Sequence, residues 1–220
     1  MPTTDILIRT CSRDAGYHRY CMESIAKFCT GFRGVAVILK DDPDPQTGYL
    51  DQQITKLEAD LHTDADFILT IDSDTLFTQP VTLETFMHDG KPIWLFTPWT
   101  KEMLEHPGTR AWHDVMQEFV GVRPPAEHMR RHPFMFPRTL TQNIRNFCQV
   151  KHGMKIRDYI MRKGRFSEFN VMGFYASFFM RESFHWINTE KDELPPLYCR
   201  QFWSWDPVEK NLEEIERILA

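Results

Sequence analysis

The sequence predicts an α/β fold of three layers, with helices on both faces of a mostly parallel central sheet and all 220 residues in a single domain, 1–220. Three observations predict it. Strand-like and helix-like segments alternate through the first hundred residues. The third strand-like segment stops abruptly at two carboxylates, and no Pro/Gly/Ser linker, repeat or low-complexity tract divides the chain. A chain of this length can bury a large core in one α/β body.

Each element has its own signal. Ile6-Leu7-Ile8-Arg9-Thr10 reads as a strand, and Tyr17 to Phe28 has apolar spacing suited to a helix. Val35 to Leu39 is a second apolar strand that stops at Asp41-Asp42-Pro43, and Tyr49 to Leu61 is again helical in pattern. Phe67 to Ile71 is the third strand. Strand, helix, strand, helix, strand is the pattern of a right-handed parallel sheet. Further on, Ile93 to Phe96 predicts a strand, Arg110 to Val120 a helix, Phe134 to Phe136 a short strand and Leu140 to Val150 a helix. Ser167 and Glu168 read as an N-cap and first-turn acid opening a helix to Phe179. Phe184 to Ile187 returns to the sheet, and Val208 to Leu219 closes the chain as an acidic amphipathic helix.

Composition excludes several classes. Five cysteines, odd in number and without a CxxC pair, signal neither a disulfide framework nor a zinc ribbon. Charged residues interrupt the first thirty positions, and no apolar run approaches the ~20 residues of a membrane span. The expected location is therefore cytoplasmic. The first strand is followed by Cys11-Ser12-Arg13-Asp14 and not by GxGxxG, so a nicotinamide-dependent dehydrogenase is not expected.

The main chemical signal is Asp72-Ser73-Asp74. Carried to the carboxyl edge of a sheet by an apolar strand, two carboxylates two positions apart would point the same way and offer hard oxygen donors to a divalent cation holding a diphosphate. The alternative is an Asx-turn with solvated side chains.

Three stretches together resemble the GT-A glycosyltransferases. They are Thr10-Cys11-Ser12-Arg13-Asp14 after the first strand, the helix holding Gln52-Gln53-Ile54-Thr55-Lys56-Leu57, and Ala65 to Phe77 around the Asp-Ser-Asp. Phe166-Ser167-Glu168-Phe169-Asn170-Val171-Met172-Gly173 resembles a motif of a small bacterial and phage branch of that fold. The resemblance implies a nucleotide-sugar donor, UDP-linked by preference, with Mn2+ or Mg2+ between Asp74 and the diphosphate. Asp72 would share the metal or take the ribose hydroxyls, and Ser73 would allow close approach. Thr10 and Arg13 would face base and phosphates, and Lys56 and Gln53 would add a charge and a polar neighbour. Lys56 reads equally as an exposed helix lysine. The first hundred residues would form the donor half and residues 101–220 the acceptor half.

Glu168 is the expected catalytic base beside Asp74, with a helix-start acid as the alternative. His185 is the expected third metal ligand, or else a core histidine bonded to a backbone carbonyl. His128 and His132 are four apart, but Pro133, Arg130 and Arg131 make that stretch read as an exposed basic loop. Trp203-Ser204-Trp205-Asp206 would stack on the donor sugar or close over it, core packing being the alternative.

Charge is segregated. Residues 128–165 hold ten Lys and Arg against one acid, Asp158, a surplus of +9 in a chain of net charge −5. With Phe134, Phe136, Phe147 and Tyr159 among them, they predict a surface that follows a phosphate backbone, with Arg130, Arg131, Arg138, Arg162 and Lys163 binding the acceptor. A hydroxymethylated DNA base, 5-hydroxymethylcytosine, in a bacterial or phage-infected cell is the acceptor this favours. The alternatives are a saccharide or envelope glycan acceptor, a solvated face balancing the acidic C-terminal helix, and, in another class, a non-catalytic nucleic-acid-binding protein. A haloacid-type phosphatase is disfavoured, because its nucleophilic Asp would stand where the chain has Thr10 and Cys11.

Overall fold

The structure, a computed structural model, describes residues 2–40 and 45–220. The stop expected at Asp41-Asp42-Pro43 lies outside the described residues.

The elements follow as β1 (Thr4–Thr10), α1 (Ala15–Phe28), β2 (Gly34–Leu39), α2 (Pro45–Leu57), β3 (Phe67–Asp72) and β4 (Thr75–Phe77). Then come β5 (Met87–His88), β6 (Lys91–Pro98), α3 (Lys101–Glu105), α4 (Pro107–Val120), β7 (Ala126–Glu127) and β8 (Phe134–Pro137). The chain ends with α5 (Thr139–His152), α6 (Ile156–Lys163), α7 (Glu168–Phe179), β9 (His185–Asn188), β10 (Cys199–Gln201) and α8 (Leu212–Leu219). The main sheet has the order β2-β1-β3-β8, parallel except for β8. A second parallel pair, β6 and β9, extends the α/β layering. The predicted architecture is the one observed.

Alternation along the buried strands sorts the core into two layers. Ile6 and Ile8 of β1 and Leu69 and Ile71 of β3 pack with Cys21, Ile25 and Phe28 of α1. Leu7 and Ile68 face the other way, onto Leu50, Ile54 and Leu57 of α2 and the apolar sides of α4, α5 and α7. All five cysteines are free thiols. Among the described residues, no helix is long and apolar enough to cross a membrane.

One close approach fixes α7. A Cβ on Gly173 would stand 2.4 Å from Cγ of His128 and 2.5 Å from Nε1 of Trp94, two rings locked in the core. Gly173→Ala is therefore expected to destabilise by roughly 1–3 kcal/mol, as overpacking does. Urea unfolding measures this, and an unchanged midpoint would show that the rings can yield.

Six short elements, β4, β5, α3, β7, α6 and β10, were not among those the sequence predicted. The most consequential pairing is β4 with β10, antiparallel with Thr75 opposite Gln201, which brings the end of the chain back over the Asp72-Ser73-Asp74 turn.

Candidate active site

β3 ends at Asp72, and Ser73-Asp74 form the turn into β4. The strand alternation that would aim both carboxylates at one point therefore stops one residue too early. Instead, each acid has its own partners. Nζ of Lys56 is 2.8 Å from Oδ1 of Asp72 and donates to Oε1 of Glu168 at 2.9 Å. Nε2 of His132 lies 3.0 Å from Oδ2 of Asp72. The result is a buried run, His132–Asp72–Lys56–Glu168, joining β3 to α2, α7 and the loop before β8.

Lys56 is 5% exposed, which removes the surface-lysine alternative. Ile54 and Leu57 seat α2 on the core, and Lys56 turns inward with its ammonium 4.8 Å from the Phe169 ring centroid. Burial disfavours its charge, but Asp72 and Glu168 outweigh burial and raise Lys56 above the usual lysine range. Burial likewise opposes ionisation of Asp72, yet Lys56 and His132 hold its carboxyl well below the usual range.

Asp74 behaves in the opposite way. Burial, then the negative charge of Asp72, push its carboxyl up to about 6, against hydrogen bonds from Ser204 and Gln201. Gln201 Nε2 donates to Oδ1 at 3.2 Å and the Ser204 amide donates to Oδ2 at 3.0 Å. The Phe202 amide adds a bond to the Asp74 carbonyl at 2.7 Å. The strap running from Gln201 to Asp206 thus closes over Asp74. On it, Trp203 and Trp205 stack face to face, centroids 4.6 Å apart, and are 50% and 75% exposed, so neither is a core residue. A cavity of 560 Å³ borders the strap, lined by Arg13, Gly16, Tyr17, Ser204, Trp205 and Asp206 among others.

The Ser-Glu-Phe-Asn stretch organises the other side. The Glu168 amide donates to Oε1 of Gln53 at 3.1 Å. Phe169 stacks on Phe134 at 3.7 Å, and both rings meet the His132 ring edge-on. Asn170 donates to Ser167 Oγ and accepts from the amides of His128 and Met129, so α7 holds the loop that delivers His132.

That loop corrects the expectation of an exposed basic segment. His128 is 2% exposed, and burial pushes its imidazole down to about 3, so it is a neutral core residue. Arg130 pairs with the buried Glu127, and Arg131 donates to the Pro195 carbonyl at 2.6 Å. His132 was missed because a histidine between arginines and a proline has no sequence mark of burial. Asn170 had one, its place three residues after Ser167 in the motif.

The remaining expected positions separate. Thr10 and Ser73 are buried at the same sheet edge, while Arg13 lies at the cavity. His185, the expected third metal ligand, opens β9 with its ring 4.0 Å from that of His88, and it joins no metal-binding group with the two acids. Indeed, among the described residues no three or more His, Cys, Asp or Glu side chains form a metal cluster.

The basic stretch is largely neutralised from within. Arg145 pairs with Asp60, Arg157 with Asp51 and Glu58, and Lys163 and Arg165 with Glu118. Lys151 donates to the Val120 carbonyl. The balancing acids sit on and after α2 and on α4, whereas acidic α8 packs on α1. Arg138, Lys155 and Arg162 have no side-chain hydrogen bond or ion pair among the described residues.

No curated protein matches the sequence. Two solved structures are similar in fold. One is the galactosyltransferase LgtC in complex with donor and acceptor sugar analogs, 12% identical over 98% of this chain and 95% of that chain, with a TM-score of 0.48. The other is a glycosyltransferase involved in glycosylation of the major capsid of PBCV-1, 10% identical over 98% of this chain and 100% of that chain, with a TM-score of 0.49. The sequence profile of DUF6492, a family of unknown function, matches residues 43–205, most of the chain, from Lys56 through Asp72, Asp74, His132 and Glu168 to Ser204, and the chain belongs to that family.

Proposed function

We propose that this chain transfers a glycosyl group from a nucleoside diphosphate sugar, a UDP-sugar by preference, to a saccharide hydroxyl. The observation that supports it most is the buried His132–Asp72–Lys56–Glu168 run with Asp74 beside it, at the carboxyl edge of parallel strands where ligands of α/β sheets bind. Asp74 suits a divalent cation, since a positive charge there would relieve both burial and the repulsion from Asp72. Two carboxylates without a third protein ligand match an ion whose other positions are filled by substrate phosphates and water. Mn2+ or Mg2+ held by Asp74 and Asp72 would supply Lewis-acid stabilisation to the departing diphosphate.

The chain's own residues do the rest. Lys56 pairs with both Asp72 and Glu168 and fixes both. Glu168 spends Oε1 on Lys56, and among the described residues no protein donor reaches Oε2, the atom assigned to take the acceptor proton. The strap frees Asp74 when Gln201 and Ser204 let go, and the exposed Trp203–Trp205 pair then offers aromatic faces to a sugar. The internal pairing of the basic stretch moves the favoured acceptor from a DNA base to a saccharide.

The test is release of UDP from a panel of UDP-sugars with Mn2+, with EDTA, and with oligosaccharide or 5-hydroxymethylcytosine DNA as acceptor. Cation-dependent release stimulated by a saccharide is expected, with weak DNA binding. Full activity in EDTA would remove the cation, and mass gain by the DNA would restore the nucleic-acid acceptor. Glu168→Gln is expected to lower kcat by ~100-fold or more with donor affinity little changed, the loss of a general base. An unchanged kcat would leave Glu168 as the partner of Lys56 alone.

A further inference from the structure

Arg9 occupies the penultimate position of β1, with Ile38 of β2 and Asp72 of β3 as its register partners. Alternation places it on the Leu7 side of the sheet, the side packed on α2. It is 6% exposed, and its Nε and Nη2 are buried with no hydrogen-bond partner among the described residues. The carboxylates that β1 and β3 themselves present on that face are committed elsewhere, Asp5 to Arg33 and Asp72 to Lys56 and His132. A buried guanidinium without an anion is costly, and a fold retains one where something pairs with it. A second spare donor lies on the same side: Gln53 gives Oε1 to the Glu168 amide, which fixes Nε2 as an N–H group, and that group is buried near the Tyr49 hydroxyl with no close hydrogen bond among the described residues.

We infer that Arg9, assisted by Gln53, is the subsite for an oxyanion of the substrate, a phosphate of the nucleotide or a carboxylate on the transferred sugar. The guanidinium fork matches either group through two parallel N–H bonds, and Lys56 has no charge to spare for it. The inference rests on glycosyl transfer only in taking the ligand to be the donor, and binding alone tests it.

Calorimetry in EDTA, with UDP, inorganic pyrophosphate and glucuronate as probes, compares the wild type with Arg9→Met and Arg9→Lys. Arg9→Met is expected to weaken binding by roughly 10- to 100-fold, the worth of a charged hydrogen bond, and Arg9→Lys by less. Unliganded Arg9→Met is expected to melt no lower than the wild type, since Met fills the space without an unpaired charge. Loss confined to UDP and pyrophosphate identifies a phosphate, and loss confined to glucuronate identifies a carboxylate. The subsite is overturned if the wild type binds none of the probes, if Arg9→Met binds them as the wild type does, or if neither variant folds. A wild type that binds the probes but turns over no nucleotide sugar keeps the subsite and removes the transfer reaction. Unaltered turnover of UDP-sugars by Arg9→Met does the reverse.

Discussion

Asp74→Asn is expected to abolish turnover of a nucleotide sugar while making the protein more stable above neutral pH. The loss follows from the cation's share of transition-state stabilisation, several kcal/mol, or ~1000-fold or more in rate. The gain follows from the raised carboxyl of Asp74. Below the ordinary Asp value the group is protonated folded and unfolded, and costs nothing. As pH rises towards about 6 the unfolded chain ionises first, so stability falls, and above about 6 the full penalty stands. That penalty is roughly 2–3 kcal/mol, and Asn does not incur it. Urea unfolding without metal should show Asp74→Asn ahead of the wild type at pH 8 and level with it near pH 4. Saturating Mn2+ should stabilise the wild type alone. A variant no more stable at pH 8 than the wild type would mean that Asp74 is not strained, and retained activity would remove it from the site.

A residue that destabilises its own fold is often explained by function, and Asp74 was the residue the sequence marked most clearly. The apolar run ending at Asp72 sets the strand, and the buried alternation of Ile6, Leu7 and Ile8 sets its neighbour, because period and polarity are local properties. The pairing of Asp74 with Gln201 and Ser204 is not local. It depends on β4 and β10, three-residue strands far apart in the chain whose composition resembles that of loops. The same distance hid the neutralisation of the basic stretch. Arg157 meets Asp51, and Lys163 meets Glu118, across separations that a count of charges along the chain ignores. Lys56 and Glu168 were each legible as site candidates, but an ammonium shared between Glu168 and Asp72 needed the packing of α2 against α7.

Lys56→Met is expected to have the largest effect on stability. Met keeps the apolar stem against Phe169, but Asp72 and Glu168 are left buried without their cation, which costs about 3–5 kcal/mol for a broken buried pair. The sign of the pH dependence follows from the two shifts. Asp72, held below its usual range, contributes stability that is present above the unfolded Asp value and lost as pH falls towards its folded value. Lys56, raised above its usual range, contributes stability that is present below the unfolded Lys value and lost only as pH rises through its folded value. The gap between wild type and variant should therefore be widest from about pH 5 to about pH 10 and should narrow towards pH 3, where the orphaned carboxylates take up protons. Adding Asp72→Asn and Glu168→Gln to Lys56→Met removes both orphaned carboxylates and should recover most of the loss without recovering turnover, because neutral groups of the same shape pack where unpaired ions cannot. Equal stability of the single and triple variants at pH 8 would show that Lys56 is held by its stem and not by its charge.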